Sequence, residues 1–141
     1  MWRLGKDGDF RIVSNDPNPW FSHQHDASFE QDGLRTRMMV FDNGDTRQAE
    51  DPSSHSRGQV LDIDENTVSA TLAFNVDLGG YSLALGSAQK LDNGNYFFNS
   101  GWTPDTFSHA LEFDSSGNPV SLYNIETQQY RSFRMRDLYT P

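Results

Sequence analysis

Stretches of alternating hydrophobic and polar residues, separated by turn residues, run along most of the chain. Such stretches are typical of half-buried β-strands, because successive side chains of a strand point to opposite faces. In the first half of the chain they predict strands over residues 23–30, 34–41, 58–64 and 67–74. No long segment repeats apolar residues at helical spacing, so the sequence predicts almost no helix.

The alternation also assigns side chains to strand faces. In the second strand, one face carries Leu34, Thr36, Met38 and Val40, and the other carries Arg35, Arg37, Met39 and Phe41. The fourth strand alternates in the same way, with one face formed by Val68, Ala70, Leu72 and Phe74.

Turn residues separate these strands. Asp32-Gly33 predicts a tight hairpin turn, because such dipeptides tolerate positive φ. Asp42-Asn43-Gly44-Asp45 predicts a second turn, followed by a polar loop over residues 46–56. Glu65-Asn66 predicts a third turn. Ahead of the first strand we expect the end of a strand at residues 2–4, a turn at 6–9 and a proline-broken loop at 14–19.

The second half of the chain repeats the arrangement. Strands are predicted over residues 87–91, 96–101, 108–113 and 120–125, with a last strand over 130–135. Hairpin turns are predicted at Asp92-Asn93-Gly94-Asn95 and at residues 114–118, and a loop with Pro104 lies between the two hairpins.

Residues 23–75 and 86–125 therefore each contain four predicted strands in a hairpin–loop–hairpin order. Tandem four-stranded units are typical of β-propeller blades. An all-β sandwich of eight or nine strands is the alternative. Two blades cannot close a ring, so the blade interpretation predicts that residues 1–141 form one partial domain, the C-terminal blades of a longer protein. Open blade edges would also allow self-association.

Composition and charge narrow the classes of partner. The 141 residues carry 11 basic and 20 acidic side chains, a net charge of −9, which argues against a nucleic-acid backbone or an anionic membrane surface as partner. No apolar run approaches the ~20 residues of a transmembrane helix, and the first residues lack the apolar core of a signal peptide. There is no cysteine, so disulfides and cysteine-ligated zinc are excluded. We expect no cofactor.

Two histidines lie two positions apart in Phe21-Ser-His-Gln-His-Asp26. On a strand, His23 and His25 would share a face, which suits either a metal pair or ordinary hydrogen bonding. A metal pair would need at least one more ligand from elsewhere in the fold. The acidic run Asp62-Ile63-Asp64-Glu65 lacks the glycine and the terminal glutamate of a calcium loop, and predicts a turn.

Several motifs occur together in a characteristic order: Trp2-Arg-Leu-Gly5, Gln24-His25 before Asp26, Phe41-Asp-Asn-Gly44 with Arg47, and Ser56-Arg-Gly58 before Val60-Leu-Asp-Ile-Asp64. Leu91-Asp-Asn-Gly-Asn95, Phe113-Asp114 and Tyr130-Arg-Ser-Phe-Arg134 follow. This order resembles the arylsulfotransferase family, whose members use an aryl sulfate as sulfuryl donor. The resemblance spans nearly the whole chain.

The resemblance implies a six-bladed β-propeller with its active site in the central channel. It implies a ping-pong reaction in which a histidine takes the sulfuryl group from an aryl sulfate and passes it to a phenol. By the same resemblance, His25 and Arg47 match sulfate-binding positions, and His109 is the candidate nucleophile. Family members are several hundred residues long and draw further active-site residues from N-terminal blades, so a fragment without activity of its own is expected. A periplasmic or extracellular location is also implied.

The chemistry of these residue types fits sulfuryl transfer. A neutral imidazole is a good nucleophile near pH 7, and a guanidinium can hold two sulfuryl oxygens at once. Arg57 is a second possible clamp. For the single residues, the alternatives are a solvated loop charge for Arg47 and a packing role for His109 beside Leu111 and Phe113. For the whole chain, the alternative is a non-catalytic propeller or sandwich module that binds a ligand or a protein.

Overall fold

The computed structural model describes residues 1–32 and 35–137, which contain nine strands and one short helix. The strands are β1 (Arg11–Val13), β2 (His25–Asp32), β3 (Arg35–Asp42), β4 (Arg57–Asp64), β5 (Ser69–Asp77), β6 (Ser87–Lys90), β7 (Tyr96–Ser100), β8 (Ser108–Phe113) and β9 (Pro119–Ile125). Helix α1 (Asp45–Glu50) lies between β3 and β4. The predicted turn at Asp32-Gly33 and residue Leu34 fall outside the described residues.

The strands form two sheets. The first has the order β1-β5-β4-β3-β2, in which β2 to β5 are antiparallel neighbours and β1 runs parallel to β5. The second has the order β6-β7-β8-β9 and is antiparallel throughout. The all-β prediction is therefore confirmed, with one antiparallel run of four strands in each half of the chain. The assignment of these runs to propeller blades stays a prediction.

Strand β3 is buried on both of its faces. Met39 and Phe41 pack into a cluster between the two sheets, whereas Met38 and Val40 pack into a second cluster on the opposite face. These are the two faces that the alternation predicts. Because both faces carry large apolar side chains, β3 can hold a core on each side of the first sheet.

The cluster between the sheets joins the two halves of the chain. Its members are Met39, Phe41, Val60, Phe74, Val76 and Leu78 from the first half, and Ala88, Tyr96, Phe98 and Phe113 from the second. Gly58 and Gly86 allow the close approach, because a Cβ at either position would lie within 2.5 Å of an aromatic ring, Phe98 or Phe41 respectively. The packing also brings β2 and β3 into contact with β6.

The predicted face of the fourth strand is wrong, because β5 contains a β-bulge. Val60 pairs with Phe74, but Leu61 pairs with Leu72, so Ala73 is the extra residue in β5. The bulge reverses the alternation, and Phe74 packs between the sheets while Ala70 and Leu72 pack on the other face. Val68 lies in the preceding turn with a φ of 49° and is exposed.

The structure differs from the sequence prediction at one loop, the turn before it and one strand. The predicted polar loop over residues 46–56 begins with α1, a helix too short to show apolar periodicity in the sequence. Gly44 precedes this helix with a φ of 84°, so the predicted turn at residues 42–45 leads into α1 rather than into a hairpin. Residues 2–4 are not a strand, and β1 lies further along the chain.

The predicted last strand at residues 130–135 is also wrong. This segment runs beside β6 but is held by side chains rather than by a backbone ladder. Ser87 Oγ donates to Ser132 O and accepts from Ser132 N, and the Gln89 amide exchanges the same pair of bonds with Arg134. Polar side chains on β6 thus take the place of the ladder that the alternation alone would suggest.

Candidate functional site

His25 opens β2 and its imidazole is fixed by a buried amide. Nδ1 of His25 lies 2.6 Å from Oδ1 of Asn43. The Asn43 side chain is fully buried, and its Nδ2 donates to Ser82 O at 2.9 Å and to Leu85 O at 3.2 Å. Since Nδ2 points at two carbonyls, Oδ1 is the acceptor, and Nδ1 of His25 must carry the proton.

This tautomer leaves the lone pair of neutral His25 on Nε2. Nε2 has no hydrogen-bond partner within residues 1–32 and 35–137. The residue as a whole is half-buried. A neutral His25 can therefore attack an electrophile or accept a proton through Nε2, and it can donate to an anion there only when protonated.

Three segments of the chain converge on Asn43. Ser56 Oγ donates to Asn43 O, and the same hydroxyl accepts the backbone N–H of Ser82. Asn43 itself stands at the end of β3, immediately before Gly44. Because Asn43 is tied to two residues within the loop between β5 and β6, the position of His25 depends on contacts about 40 residues apart.

Arg47 is buried and bonds to Asp42, the residue that precedes Asn43. Its Nη1 donates to Asp42 Oδ2 at 2.5 Å and its Nη2 to His55 O at 3.0 Å, while Nε has no partner in the described part of the chain. The other oxygen of Asp42 accepts from Ser22 N. Burial raises the pKa of Asp42 and Arg47 opposes that rise. Asp42 thus ties the end of β3 to the chain just ahead of His23, and Arg47 joins Asp42 to the backbone at His55 and balances its charge.

His23 belongs to a second group of polar side chains. Its Nδ1 lies 2.7 Å from Asp45 Oδ2, and the Tyr81 hydroxyl donates to Asp45 Oδ1 at 2.8 Å. The rings of His23 and His25 are 5.3 Å apart between centroids. His23 and Asp26 have φ angles of 51° and 52°, a left-handed backbone that non-glycine residues adopt uncommonly.

The side chains of the two remaining predicted residues have other partners, although Arg57 is the cross-strand partner of Asp42. Arg57 donates to Asp16 Oδ2 at 2.8 Å and to Asn18 O at 3.2 Å, so it ties the loop before β2 to β4. His109 lies on β8, where its Nδ1 is 2.9 Å from Asn124 Oδ1 and its Nε2 is 3.4 Å from Asp105 Oδ2. β8 is two strands from β6, about 10 Å at ordinary strand spacing.

No group of three or more histidine, cysteine, aspartate or glutamate side chains in the described residues is arranged to hold a metal ion. Across the same residues, no helix is long and apolar enough to cross a membrane.

The sequence model of the family described as Arylsulfotransferase (ASST) matches residues 4–134. The chain belongs to the arylsulfotransferase family. No curated protein and no solved structure matches it significantly. Membership supports a sulfotransferase-type function at the level of the family, and the match covers both sheets and the whole of the His25 site.

Within this chain of the arylsulfotransferase family, the structure brings His25, Asn43 and the Asp42–Arg47 pair together. Arg57 is the cross-strand partner of Asp42, but its guanidinium bonds to Asp16 and Asn18. The side chain of His109 has its contacts elsewhere, with Asn124 and Asp105. The sequence predicted Asn43 only as a turn residue and did not single out Asp45 or Tyr81. An Asn-Gly pair directly after an apolar strand carried the only signal for Asn43, and its contact with His25 is not visible in local pattern.

Proposed function

We propose that the chain contributes the sulfuryl-transfer site of an aryl-sulfate sulfotransferase, with His25 as the residue that carries the sulfuryl group. The acceptor would be a phenol. The observation that supports this proposal most strongly is the fixed tautomer of His25, which leaves a lone pair on an Nε2 that has no partner in the described residues.

In the first step, Nε2 of His25 attacks the sulfur of the aryl sulfate. An N–S bond forms, the S–O bond to the aryl group breaks, and the aryloxide leaves with the electron pair. The ring then carries a positive charge with its proton still on Nδ1, and Asn43 Oδ1 accepts that proton's hydrogen bond at 2.6 Å. A fixed acceptor facing a developing charge stabilises the transition state.

In the second step, the phenolic oxygen attacks the same sulfur. The N–S bond breaks, its electron pair returns to Nε2, and the phenolic proton is lost to a base. Arg47 supports both steps by holding Asp42, which in turn accepts from the backbone N–H of Ser22, since two nitrogens of its guanidinium are already paired. A positioning role therefore replaces the sulfate clamp that the resemblance implies for Arg47.

His109 stays a prediction as the nucleophile. Both of its ring nitrogens lie near polar partners, Asn124 and Asp105, whereas a nucleophilic histidine needs one nitrogen open to the substrate. The contacts therefore favour His25 over His109.

A non-catalytic binding module is the second candidate. The observation that favours it is the pairing of Arg47 with Asp42 and of Arg57 with Asp16, which commits part of each guanidinium to a carboxylate of the chain itself.

An activity assay on the natural gene product that carries this sequence separates these possibilities. With p-nitrophenyl sulfate as donor and phenol as acceptor, we expect His25→Ala to lower p-nitrophenolate release by about 10³-fold or more, as the loss of a nucleophile does. His55→Ala is the matched control, because the His55 side chain pairs with Asp77, and Arg47 contacts only the backbone carbonyl of His55, which the substitution keeps. Loss of activity in His109→Ala but not in His25→Ala would return the nucleophile to His109. A wild-type protein without any release would favour the binding module.

A further inference from the structure

The polar side chains beside His25 are linked by hydrogen bonds in the way that a proton relay requires. His23, Asp45 and Tyr81 form a continuous chain in which the two oxygens of Asp45 are held by the other two residues, at 2.7 and 2.8 Å. The three residues of this hydrogen-bonded group come from separate parts of the sequence: the loop before β2, the start of α1 and the loop before β6.

The direction of the hydrogen bonds follows from Tyr81. Burial, together with Asp45, raises the pKa of the Tyr81 hydroxyl to about 12, so Tyr81 stays protonated at neutral pH and donates to Asp45. Asp45 Oδ2 then accepts from Nδ1–H of His23. A neutral His23 therefore has its lone pair on Nε2, as His25 does.

His23 is also placed where an acceptor can reach it. Its side chain is 45% exposed, and its ring centroid is 5.3 Å from that of His25. The backbone of His23 is in the left-handed region, with a φ of 51°. Uncommon backbone conformations of this kind are concentrated at functional sites.

We propose that His23 is the general base for the acceptor phenol and that Asp45 and Tyr81 position it. This inference rests on the proposed function. In the transfer step the phenolic O–H bond breaks and its proton moves to Nε2 of His23. The phenolic oxygen bonds to sulfur as the N–S bond to His25 breaks, and the electron pair of that bond returns to Nε2 of His25. Loss of the proton from His23 to water restores the site.

The pair formed by His55 and Asp77 shows what a bare histidine–carboxylate contact looks like in this chain. Its Nδ1–Oδ1 distance is 2.8 Å, and the His55 side chain is 40% exposed, close to the 45% of His23. Asp77 is more exposed than Asp45, at 65% against 43%. Among the described residues the pair has neither a tyrosine on the carboxylate nor a second histidine ring in contact. His55→Gln is thus the matched control for His23→Gln, since Arg47 contacts only the backbone carbonyl of His55, which the substitution keeps.

The test compares acceptors of different acidity at one pH in the natural gene product. An initial burst of p-nitrophenolate from p-nitrophenyl sulfate reports loading of the sulfuryl group, because p-nitrophenolate leaves without needing a proton. Turnover after the burst reports transfer to the acceptor. For His23→Gln we expect about a 10²- to 10⁴-fold loss of transfer to weakly acidic phenols, the usual contribution of a general base. Phenols that are already ionised at the assay pH should lose much less.

Asp45→Asn should show the same dependence on acceptor acidity with a smaller loss, and His55→Gln should match the wild type. An equal loss for all acceptors in His23→Gln, or no loss for any, would overturn the inference while a normal burst left the proposed function standing. Absence of the burst in the wild-type protein would contradict the proposed function, and the inference would fall with it.

Discussion

At the scale of single residues, Asn43 determines what His25 can do. A histidine in solution can carry its proton on either nitrogen, whereas the buried amide of Asn43 accepts only from Nδ1 in this fold. The sequence singled out His25 because of its motif, but it could not show the partner, since Asn43 is oriented by Ser82 and Leu85 on a distant loop.

Replacing Asn43 by alanine should allow the proton of neutral His25 to occupy either ring nitrogen. The ring nitrogen shifts of His25 in a nitrogen-15 NMR experiment should show the proton on Nδ1 in the wild type and a mixture of tautomers in Asn43→Ala. The carbonyls of Ser82 and Leu85 would also lose their donor, at a cost of about 1–3 kcal/mol in the free energy of unfolding.

The ring of His109 is the internal control for that experiment, because its partners lie on β9 and in the loop before β8. Its shifts should not change in Asn43→Ala. A wild-type His25 with its proton on Nε2 would contradict the account of the site.

At the scale of elements, the sequence predicted most strands because each carries its own alternation. It missed features that depend on pairing between elements. The bulge at Ala73 is set by the register of β4 against β5, and α1 has only six residues, too few for a periodic signal. The segment over residues 130–135 alternates like a strand, yet side chains from β6 hold it instead of a ladder.

Glu112 on β8 is the buried anchor of that C-terminal segment. It accepts from Asn95 and Asn93, pairs with Arg134 and is close to Ser121, and these contacts lower its pKa below the ordinary value of 4.5. A carboxyl whose pKa is lowered by folding adds stability above its unfolded pKa, and that stability is lost as the pH falls through its folded pKa.

We therefore expect Glu112→Gln to unfold at a lower temperature than the wild type at pH 7. Removing a hydrogen-bonded charge should cost about 1.5–3 kcal/mol there. The difference between the two proteins should begin to shrink as the pH drops below about 4.5, where the carboxyl of the unfolded chain becomes protonated. It should be smallest below the lowered folded pKa, where the carboxyl is protonated in both states. Thermal unfolding followed by circular dichroism from pH 7 to pH 3 measures it.

Asp92→Asn is the control for Glu112→Gln. It breaks the ion pair with Arg136 in the same C-terminal segment, but both side chains are more than 70% exposed. Such exposed pairs contribute about 0–1 kcal/mol, so little change is expected at any pH. If Glu112→Gln behaves like Asp92→Asn across the pH range, the anchoring role of Glu112 is wrong.

At the scale of the whole molecule, alternation predicted an all-β chain with a run of four strands in each half, and the resemblance predicted the family. Both are confirmed. The way the two sheets face each other around Phe41 and Phe98 could not be predicted, because it depends on Gly58 and Gly86 leaving room for those rings across the interface. The closed propeller, its channel and self-association through strand edges stay predictions.

The site of sulfuryl attachment tests the central claim most directly. The natural gene product would be incubated with p-nitrophenyl sulfate without acceptor, digested with trypsin under alkaline conditions that preserve a sulfo-histidine, and mapped by mass spectrometry. Cleavage after Arg11 and Arg35 places His25 in peptide 12–35, and cleavage after Lys90 and Arg131 places His109 in peptide 91–131. We predict an added sulfuryl group on His25 in the first peptide. An adduct on His109, or no adduct on any histidine, would contradict the account.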